Sequence, residues 1–490
     1  MGITDSIADS IANIIPQVKG PATPLSFRDK LKWTAIIMAV YFAMFSTPAI
    51  GVNIKTLQQP VLQLINIIFA ARTGTLITVG IGPIVLSSIV LQLIQGTGLI
   101  NIDTNDPQQK GKFQSIQKSA AILIAIVEAT IFTATGYVPL IGPSYFGIVV
   151  LQLALSAIVV IFLDEAMVKY GLTSGINLFI AGGVAYSIIG GTVNILIPEA
   201  AAALSAGGAS ALPNALLAFG PLFFAIIVMF ISIYAYDMKV ELPLAFSQFR
   251  GVGGRLPIPF LYVSVLPVIL TTSLIVSMTV WFQFLAGTTG SFAAIAHFIA
   301  LYQKIPTSAG GVSTTLTGGI LYLISPNFPL PYSAPYGIGG YGPYVSYLLT
   351  GTSTLDLPWG GFVLVPEWVH IITYTLVLVL LCVVFGSFWI EMTGQSPKNV
   401  ADQLQSIGWQ IPGFRRDPRI IESVLNKYIP SITVLGSIFV ALLAALATLT
   451  GAIGSGMGVL LTVGIMYMLY QQIEKDHMLE GMPAVDNMLK

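Results

Sequence analysis

Hydrophobic residues are grouped along this chain into long runs that polar and charged residues interrupt. A helix needs about 20 apolar residues to cross the roughly 30 Å hydrocarbon core of a bilayer. Ten runs have about this length, at residues 33–50, 75–97, 117–138, 146–166, 174–197, 214–236, 259–285, 366–390, 430–450 and 457–473. The pattern therefore predicts an all-α polytopic membrane protein with ten transmembrane helices.

Residues 1–30 contain no apolar run that is long enough to form a further span. They contain polar residues between aliphatic residues at helical spacing, which predicts a short interfacial amphipathic helix that Pro16 ends. Basic residues follow this stretch instead of preceding it, so the pattern is not typical of a cleaved signal peptide. The aliphatic positions are Ile7, Ile11, Ile14 and Val18.

A second short segment, residues 60–72, lies between Pro60 and Gly74. As a helix it would measure about 20 Å, too short to cross the membrane, and Arg72 would hold its end near the outer face. Since span two follows directly, the segment either folds back into the membrane from outside or lies on the surface as an interfacial hairpin. A re-entrant segment persists only when it is buried in protein or lines a cavity.

The composition agrees with a membrane protein. Only 9% of the 490 residues are charged, 55% are hydrophobic and the mean hydropathy is +0.85. Soluble globular chains carry about 25% charged residues, so this chain cannot cover a water-facing surface. Its net charge of zero excludes a globally basic nucleic-acid binder, and its single cysteine, Cys382, excludes an intramolecular disulfide or a multi-thiolate metal site.

Basic residues fall mostly on one side of the predicted membrane. Of the 21 Lys and Arg residues, 18 lie in the termini and loops of one face, and only Lys55, Arg72 and Lys304 lie on the other. Because basic residues accumulate in cytoplasmic loops, the first face is cytoplasmic. The sequence predicts a protein of the cytoplasmic membrane with both termini inside, residues 474–490 forming the C-terminal tail.

Glu128 is the ionisable residue that lies most clearly within a span. An intramembrane carboxyl costs about 2.5–3.5 kcal/mol on insertion scales, so it is either satisfied by a neighbouring helix or makes a functional polar contact. We find no zinc-binding helix motif, nucleophile elbow or P-loop, since Gly111-Lys112 lacks the upstream glycine. The sequence predicts neither an enzyme nor a cofactor.

A faint internal symmetry relates spans one to five, within residues 31–200, to spans six to ten, within residues 201–473. Gly82-Pro83-Ile84-Val85 in span two corresponds to Leu266-Pro267-Val268-Ile269 in span seven. Five spans per half make the repeats inverted, which places a pathway between them at the midplane. A secondary transporter would share this pattern, but it would need polar coordinating groups where this sequence has aliphatic residues.

Short motifs along nearly the whole chain form its most specific pattern. They are Lys30-Leu31-Lys32-Trp33-Thr34, residues 72–78, residues 80–85, Leu163-Asp164-Glu165, Lys169-Tyr170-Gly171, Arg255-Leu256-Pro257-Ile258, Tyr262-Val263-Ser264, Thr393-Gly394, Pro397-Lys398, Gly413-Phe414-Arg415 and residues 458–463. In this order and spacing they resemble archaeal SecY, the large subunit of the protein-conducting channel.

The resemblance implies two inverted five-helix halves around an hourglass pore, with a re-entrant plug helix at about residues 58–72. The plug would include Pro60, Leu64, Ile65, Ile68 and Arg72. It also implies a pore ring of six aliphatic residues, which offer a permeant ion no charge or hydrogen-bonding group. These are Ile81, Val85, Ile176, Ile180, Ile269 and Leu461, of which Ile81/Val85 and Ile176/Ile180 share helix faces.

A lateral gate is also implied, between spans two and three on one side and seven and eight on the other. Glu128 occupies the acidic position of the family, whereas Leu86 and Ser277 stand where polar partners are frequent, so the polar cluster is thin here. The implied function is a passive channel that translocates secretory polypeptides and releases membrane-protein segments sideways into lipid.

Cytoplasmic loops 237–258 and 391–429 carry the ribosome-contacting arginines of the family. Here these are Arg250, Arg255, Arg415 and Arg416, on glycine-containing loop tips, although any cytoplasmic loop is basic for topological reasons alone. The implied partners are a SecE-type subunit, a small single-span beta subunit, the ribosome, signal sequences, nascent chains and membrane lipid. The long outer loop 286–365 matches no motif, and we interpret it as a partly ordered cap over the outer funnel.

Overall fold

The computed structural model describes residues 18–23, 25–53, 66, 69–96, 107–246, 253–286, 292–306, 312–331, 340–357, 361–406, 409–410 and 418–480. The predicted amphipathic helix lies almost entirely outside these residues, and only Val18 belongs to them. Helices make up most of the described chain. In chain order they are α1 (Phe27–Ser46), α2 (Gly82–Gly96), α3 (Pro107–Ala134), α4 (Phe146–Tyr170), α5 (Gly175–Gly191), α6 (Ile197–Ser205), α7 (Ala211–Ala218), α8 (Gly220–Asp237), α9 (Leu266–Ala286), α10 (Phe292–Ile299), α11 (Ile320–Ile324), α12 (Tyr341–Thr350), α13 (Glu367–Met392), α14 (Pro397–Ser406), α15 (Pro418–Leu449) and α16 (Gly456–Glu480).

Eight helical stretches of the described chain are long and apolar enough to cross a membrane, and they coincide with predicted spans three to ten. Helices α1 and α2 occupy the first two spans. The 20 residues of α1 begin with a charged turn, in which the Ser26 hydroxyl accepts a hydrogen bond from Asp29 N at 3.3 Å. Span two is shorter than predicted, because residues 75–81 form turns and α2 starts only at Gly82.

The helices form two groups that follow one another in the chain. In the first group, α1 packs on α4 and α5, and α3 packs on α2 and α4. In the second group, α8 packs on α16, α13 packs on α9 and α15, and α15 packs on α16. The groups meet along two seams. In the first seam α9 contacts α2 and α3, and α13 contacts α2; in the second seam α5 contacts α16.

Seven strands of the described chain lie outside the helices. They are β1 (Lys239–Phe246), β2 (Gly253–Pro259), β3 (Leu301–Pro306), β4 (Val312–Gly318), β5 (Thr352–Asp356), β6 (Phe362–Pro366) and β7 (Trp409–Gln410). One sheet has the order β2-β1-β7, and the other has the order β3-β4-β5-β6, in which only β4 and β5 pair in parallel. The second sheet and helices α10–α12 come from the outer loop, so the described part of this loop has regular structure.

Large aromatic side chains lie in the interior, while aliphatic side chains cover the outside. Tyr41 of α1 stacks on Phe179 of α5, with ring centroids 4.3 Å apart, and both are fully buried. On the outside of α13, Leu376 and Leu380 expose 63% and 62% of their surfaces. A surface of this kind suits lipid as its solvent rather than water.

Candidate functional site

One large buried hydrophobic cluster contains aliphatic, aromatic and alanine residues from both helix groups. Five of the six predicted ring residues belong to it, with exposures of 5% or less, and the half-buried Ile176 packs against it. Because these residues come from α2 and its preceding turn, α5, α9 and α16, four helices converge on the cluster. The five buried members are Ile81, Val85, Ile180, Ile269 and Leu461.

A tight turn at Gly80 sets the position of Ile81. Gly80 has a φ of +58°, and a side chain on it would collide with the carbonyl oxygen of Phe69. Directly after the turn, Ile81 N donates a hydrogen bond to Phe69 O at 2.8 Å. The end of the predicted plug is therefore fastened to the residue that begins the pore-ring series.

The described end of the plug segment is anchored to two other helices. The Tyr41 hydroxyl of α1 donates a hydrogen bond to Ala70 O, and the Arg72 guanidinium lies over the rings of Phe45 and Tyr186, at 5.9 and 5.5 Å from their centroids. These contacts bring Arg72 to the C-terminal end of α1 and to the side of α5. The other plug candidates, Pro60, Leu64, Ile65 and Ile68, lie outside the described residues.

Asp164 positions the start of α5, a role that sequence reasoning missed. Its Oδ1 atom accepts hydrogen bonds from Ile176 N at 3.0 Å and from the Ser174 hydroxyl at 3.2 Å. Ile176 N belongs to the first turn of α5, where N–H groups have no acceptor within the helix. The signal was an acidic residue near the end of one span and a Ser-Gly pair ten residues later, but only the fold shows that they meet.

Small and β-branched side chains close the first seam, where the lateral gate is expected. Ala125 and Ala129 of α3 share a buried cluster with Val276 and Val280 of α9 and with Phe69. Leu86 and Ser277 are buried beside this contact, at 1% and 2% exposure. The two sides of the predicted gate are therefore in contact in this structure.

Glu128 lies in the same seam and is 1% exposed. Its Oε2 atom lies 3.0 Å from the position that a Cβ atom on Gly82 would occupy, and this oxygen has no hydrogen-bond partner among the residues that the structure describes. The reading of Glu128 as a carboxyl satisfied by a neighbouring helix does not hold for this oxygen. Ser277 Oγ is also without a partner in the described chain.

The two predicted cytoplasmic loops meet in one sheet. Strand β7 of the second loop pairs with β1 of the first, through Ala245–Gln410 and Phe246–Trp409. Arg255 lies within β2 and not on a loop tip, and its guanidinium, 77% exposed, forms a 2.5 Å ion pair with Glu241 of β1. Arg250, Arg415 and Arg416 lie outside the described residues.

The outer loop covers a cavity of about 730 Å³, whose lining includes Asn66, Arg72, Tyr186, Asn194, Tyr322 and Glu367. Glu367 and His370, both fully buried at the start of α13, hold the loop. The Glu367 Oε2 and His370 Nδ1 atoms are 3.0 Å apart, the Tyr322 hydroxyl donates to Glu367 Oε1 at 3.0 Å, and His370 Nε2 lies 2.9 Å from Ser325 O. Burial raises the pKa of Tyr322, so its hydroxyl keeps the proton that it donates.

The described chain contains no cluster of three His, Cys, Asp or Glu side chains that could hold a metal ion. The Cys382 thiol is fully buried on α13. The described residues therefore show a buried hydrophobic cluster that contains the predicted ring residues, the end of a segment fastened to it, a closed seam and an outer cavity.

Similarity to known proteins agrees with this arrangement. The chain is 36% identical over 484 residues to the protein translocase subunit SecY of Methanocaldococcus jannaschii, with 97% of each chain covered. It is 32% identical over 524 residues to the SecY subunit of Pyrococcus horikoshii, with 100% of each chain covered. The SecY family model matches residues 75–470. The chain belongs to the SecY family.

Solved structures of SecY-family channels have the same fold. The TM-score is 0.75 to a structure of a protein-conducting channel, at 34% identity with 95% of this chain and 96% of that chain covered. It is 0.72 to Sec61 in a canine ribosome–channel complex from the endoplasmic reticulum, at 33% identity with the same coverage. The prediction of a polytopic all-α protein is thereby confirmed, and ten spans are consistent with it.

SecY-family membership also decides between the functional alternatives. The family consists of protein-conducting channels and not of enzymes, so the chain is a multi-pass membrane protein of a protein translocase. The alternative of a secondary transporter is wrong. Both classes share inverted halves with interrupted helices. The predicted ring residues are aliphatic and not the polar coordinating groups that a transporter needs, so they fit the channel.

Proposed function

We propose that the six aliphatic residues Ile81, Val85, Ile176, Ile180, Ile269 and Leu461 form the constriction through which this channel passes polypeptides. The observation that carries this proposal is that five of the six are buried members of the cluster that joins both helix groups, while Ile176 packs against it. Aliphatic side chains exclude ions by dewetting, since they offer neither charge nor hydrogen bonds, and they yield to a chain of variable sequence. The halves 31–200 and 201–473 would move apart around this cluster.

Residues 58–72 act as the plug of the closed channel. The contacts of Phe69, Ala70 and Arg72 with α1, α5 and the turn before α2 support this role, because they fix the segment against the constriction from the outer side. A related solved SecY, 34% identical to this chain, has a plug domain that stabilises the closed state and maintains a membrane seal.

The first seam is the lateral gate, through which apolar segments leave for lipid. Helix α9 contacts α2, α3 and α13, and its contact with α3 is made by small and apolar side chains, which separate at less cost than hydrogen-bonded pairs. Leu86, Glu128 and Ser277 lie on this seam. The unpartnered Glu128 and Ser277 oxygens would gain partners when the gate opens, which lowers the cost of opening.

The channel lies in the cytoplasmic membrane with both termini inside. The distribution of basic residues supports this topology, since 18 of 21 fall on the face of the termini and of loops 237–258 and 391–429. The complete translocon would include a SecE-type clamp subunit and a small single-span beta subunit. Signal sequences and nascent chains are the cargo.

Ion conductance in a planar bilayer tests the constriction and the plug together. Replacing Ile81, Ile180 and Leu461 by asparagine and deleting residues 58–68 should let ions pass the resting channel, because polar side chains keep the constriction wetted. A matched control changes Ile81 and Ile180 to valine, which keeps the constriction aliphatic and should conduct no more than the unchanged protein. An unaltered current in the combined variant would remove both features from the proposal.

Ribosome docking occurs on the sheet that joins the two cytoplasmic loops. Arg255 is held there by Glu241 with most of its surface exposed, and related channels have been solved on ribosomes, including the canine Sec61 complex. Guanidinium groups bind phosphates bidentately, so docking should depend steeply on salt through counterion release. The proposed contacts are Arg250, Arg255, Arg415 and Arg416.

Co-sedimentation with ribosomes at graded salt tests this assignment. Changing all four arginines to glutamate should abolish most binding and flatten its salt dependence. Changing Lys475 and Lys490 of the tail to glutamine should have little effect. Equal losses in both variants would indicate general charge attraction, and full binding by the four-site variant would refute the docking surface.

A further inference from the structure

Large apolar residues form an exposed stripe along α13. Every fourth residue from Trp368 to Val384 is exposed, and because positions four apart drift by about 40° on a helix, they form a stripe that winds along its outside. The exposures are 50% for Trp368, 50% for Ile372, 63% for Leu376, 62% for Leu380 and 37% for Val384. At 1.5 Å per residue the stripe spans about 24 Å, and the helix that carries it, Glu367–Met392, spans about 39 Å, which is longer than a hydrocarbon core of about 30 Å.

Exposed apolar residues continue beyond the outer end of this helix. Strand β6 leads directly into α13 and is an edge strand of the outer sheet, and three consecutive residues of it expose 45–66% of their surfaces. Helix α12, which packs on α13, exposes two further residues four positions apart. We call these exposed residues, together with Trp368, the outer apolar patch: Val345, Leu349, Phe362, Val363, Leu364 and Trp368.

The segment that carries the patch is almost free of charge. Residues 305–390 include only two acidic residues, Asp356 and Glu367, and no Lys or Arg. Glu367 is fully buried in its contacts with His370 and Tyr322. A water-facing domain carries about 25% charged residues, so this segment has the composition of the lipid-facing helices and not of a soluble cap.

We propose that the outer apolar patch docks onto the outer leaflet of the membrane. Its place in the chain identifies lipid as the occupant, since β6 ends at Pro366 and the helix with the exposed apolar stripe begins at Glu367, with no exposed charged residue between them. Trp368, at the junction, has the side chain that is enriched at membrane–water interfaces.

Lipid docking gives the outer loop a second attachment. Glu367 and His370 hold it to the start of α13 from inside, and the patch would hold it to the bilayer from outside. Because α13 belongs to the first seam, the loop would rest on lipid next to the lateral gate.

Site-directed spin labelling of the full chain in its reconstituted complex tests the proposal. Cys382 is the only cysteine and is fully buried, so an introduced surface cysteine can be labelled selectively. Val363→Cys and Leu349→Cys probe the patch, and Leu376→Cys serves as the lipid reference. Gln303→Cys, on the opposite edge strand β3, is the matched aqueous control, since Gln303 is exposed and polar.

In vesicles of phosphatidylcholine and phosphatidylglycerol, the labels at 363 and 349 should collide more with oxygen than with a water-soluble nickel chelate. Their ratio of oxygen to nickel accessibility should exceed that of the label at 303 severalfold and approach that of the label at 376. Nickel accessibility equal to that at 303 would overturn the proposal. Shielding of both labels from both reagents would overturn it too, because a protein partner or a second copy would then cover the patch.

Discussion

Asp164→Ala should loosen the first turn of α5 and let ions leak through the closed channel. The Asp164 Oδ1 atom accepts hydrogen bonds from Ile176 N at 3.0 Å and from the Ser174 hydroxyl at 3.2 Å. The side chain of Ile176 packs against the aliphatic cluster. Loss of the Asp164 acceptor therefore disturbs the backbone of Ile176, a proposed ring residue, without changing any ring side chain.

Loss of a helix-capping acceptor costs about 0.5–2 kcal/mol, and a hydrogen bond to a charged group contributes about 1.5–3 kcal/mol. We expect about 2 kcal/mol for Asp164→Ala, since both donors lose a carboxylate. Because 1.36 kcal/mol is tenfold in an equilibrium constant, the frayed population of this turn should rise about 30-fold. Asp164→Asn keeps a carbonyl oxygen for the same donors and should give a much smaller rise.

Two measurements on the same variants distinguish the capping of α5 by Asp164 from the sealing of the closed channel. Hydrogen exchange of residues 174–180, followed by mass spectrometry, should accelerate in Asp164→Ala, and resting conductance in a planar bilayer should increase with it. Unchanged exchange would refute the capping argument. Faster exchange without any added conductance would support the capping of α5 by Asp164 and show that Ile176 does not contribute to the seal.

Two further changes test the packing of the first group and the gate. Glu165→Gln removes the carboxylate shared by Lys118 at 2.6 Å and Lys169 at 2.9 Å, and should lower the stability of the purified complex by about 2 kcal/mol, because the ion pairs are only partly exposed. Thermal denaturation should show a much smaller loss for the exposed Asp29→Asn, and equal losses would contradict this reading. Glu128→Leu removes a buried unpartnered oxygen and should stabilise the closed seam by about 1–3 kcal/mol, unlike Glu128→Gln. The fraction of a marginally hydrophobic segment that is released into lipid should then fall, and an increase would count against the gate.

Periodicity and composition alone were sufficient for the membrane class and the approximate spans, and the distribution of charge supplied the proposed cytoplasmic face. These properties depend on whether each segment faces lipid or water. Runs of apolar residues and basic loops indicate this locally in the sequence. The motif positions also selected six aliphatic residues that the fold brings into one cluster, although nothing in a single Ile distinguishes a constriction from ordinary packing.

Contacts between distant segments were decided only by the tertiary structure. The late start of α2 depends on the Gly80 turn against Phe69, and the capping of α5 by Asp164 depends on how α4 and α5 meet. The outer loop, which matched no motif, folds into a sheet that Glu367 and His370 hold from α13. A hydrogen bond between residues far apart in the chain leaves no periodic signal, because each partner satisfies the local pattern equally well without the other.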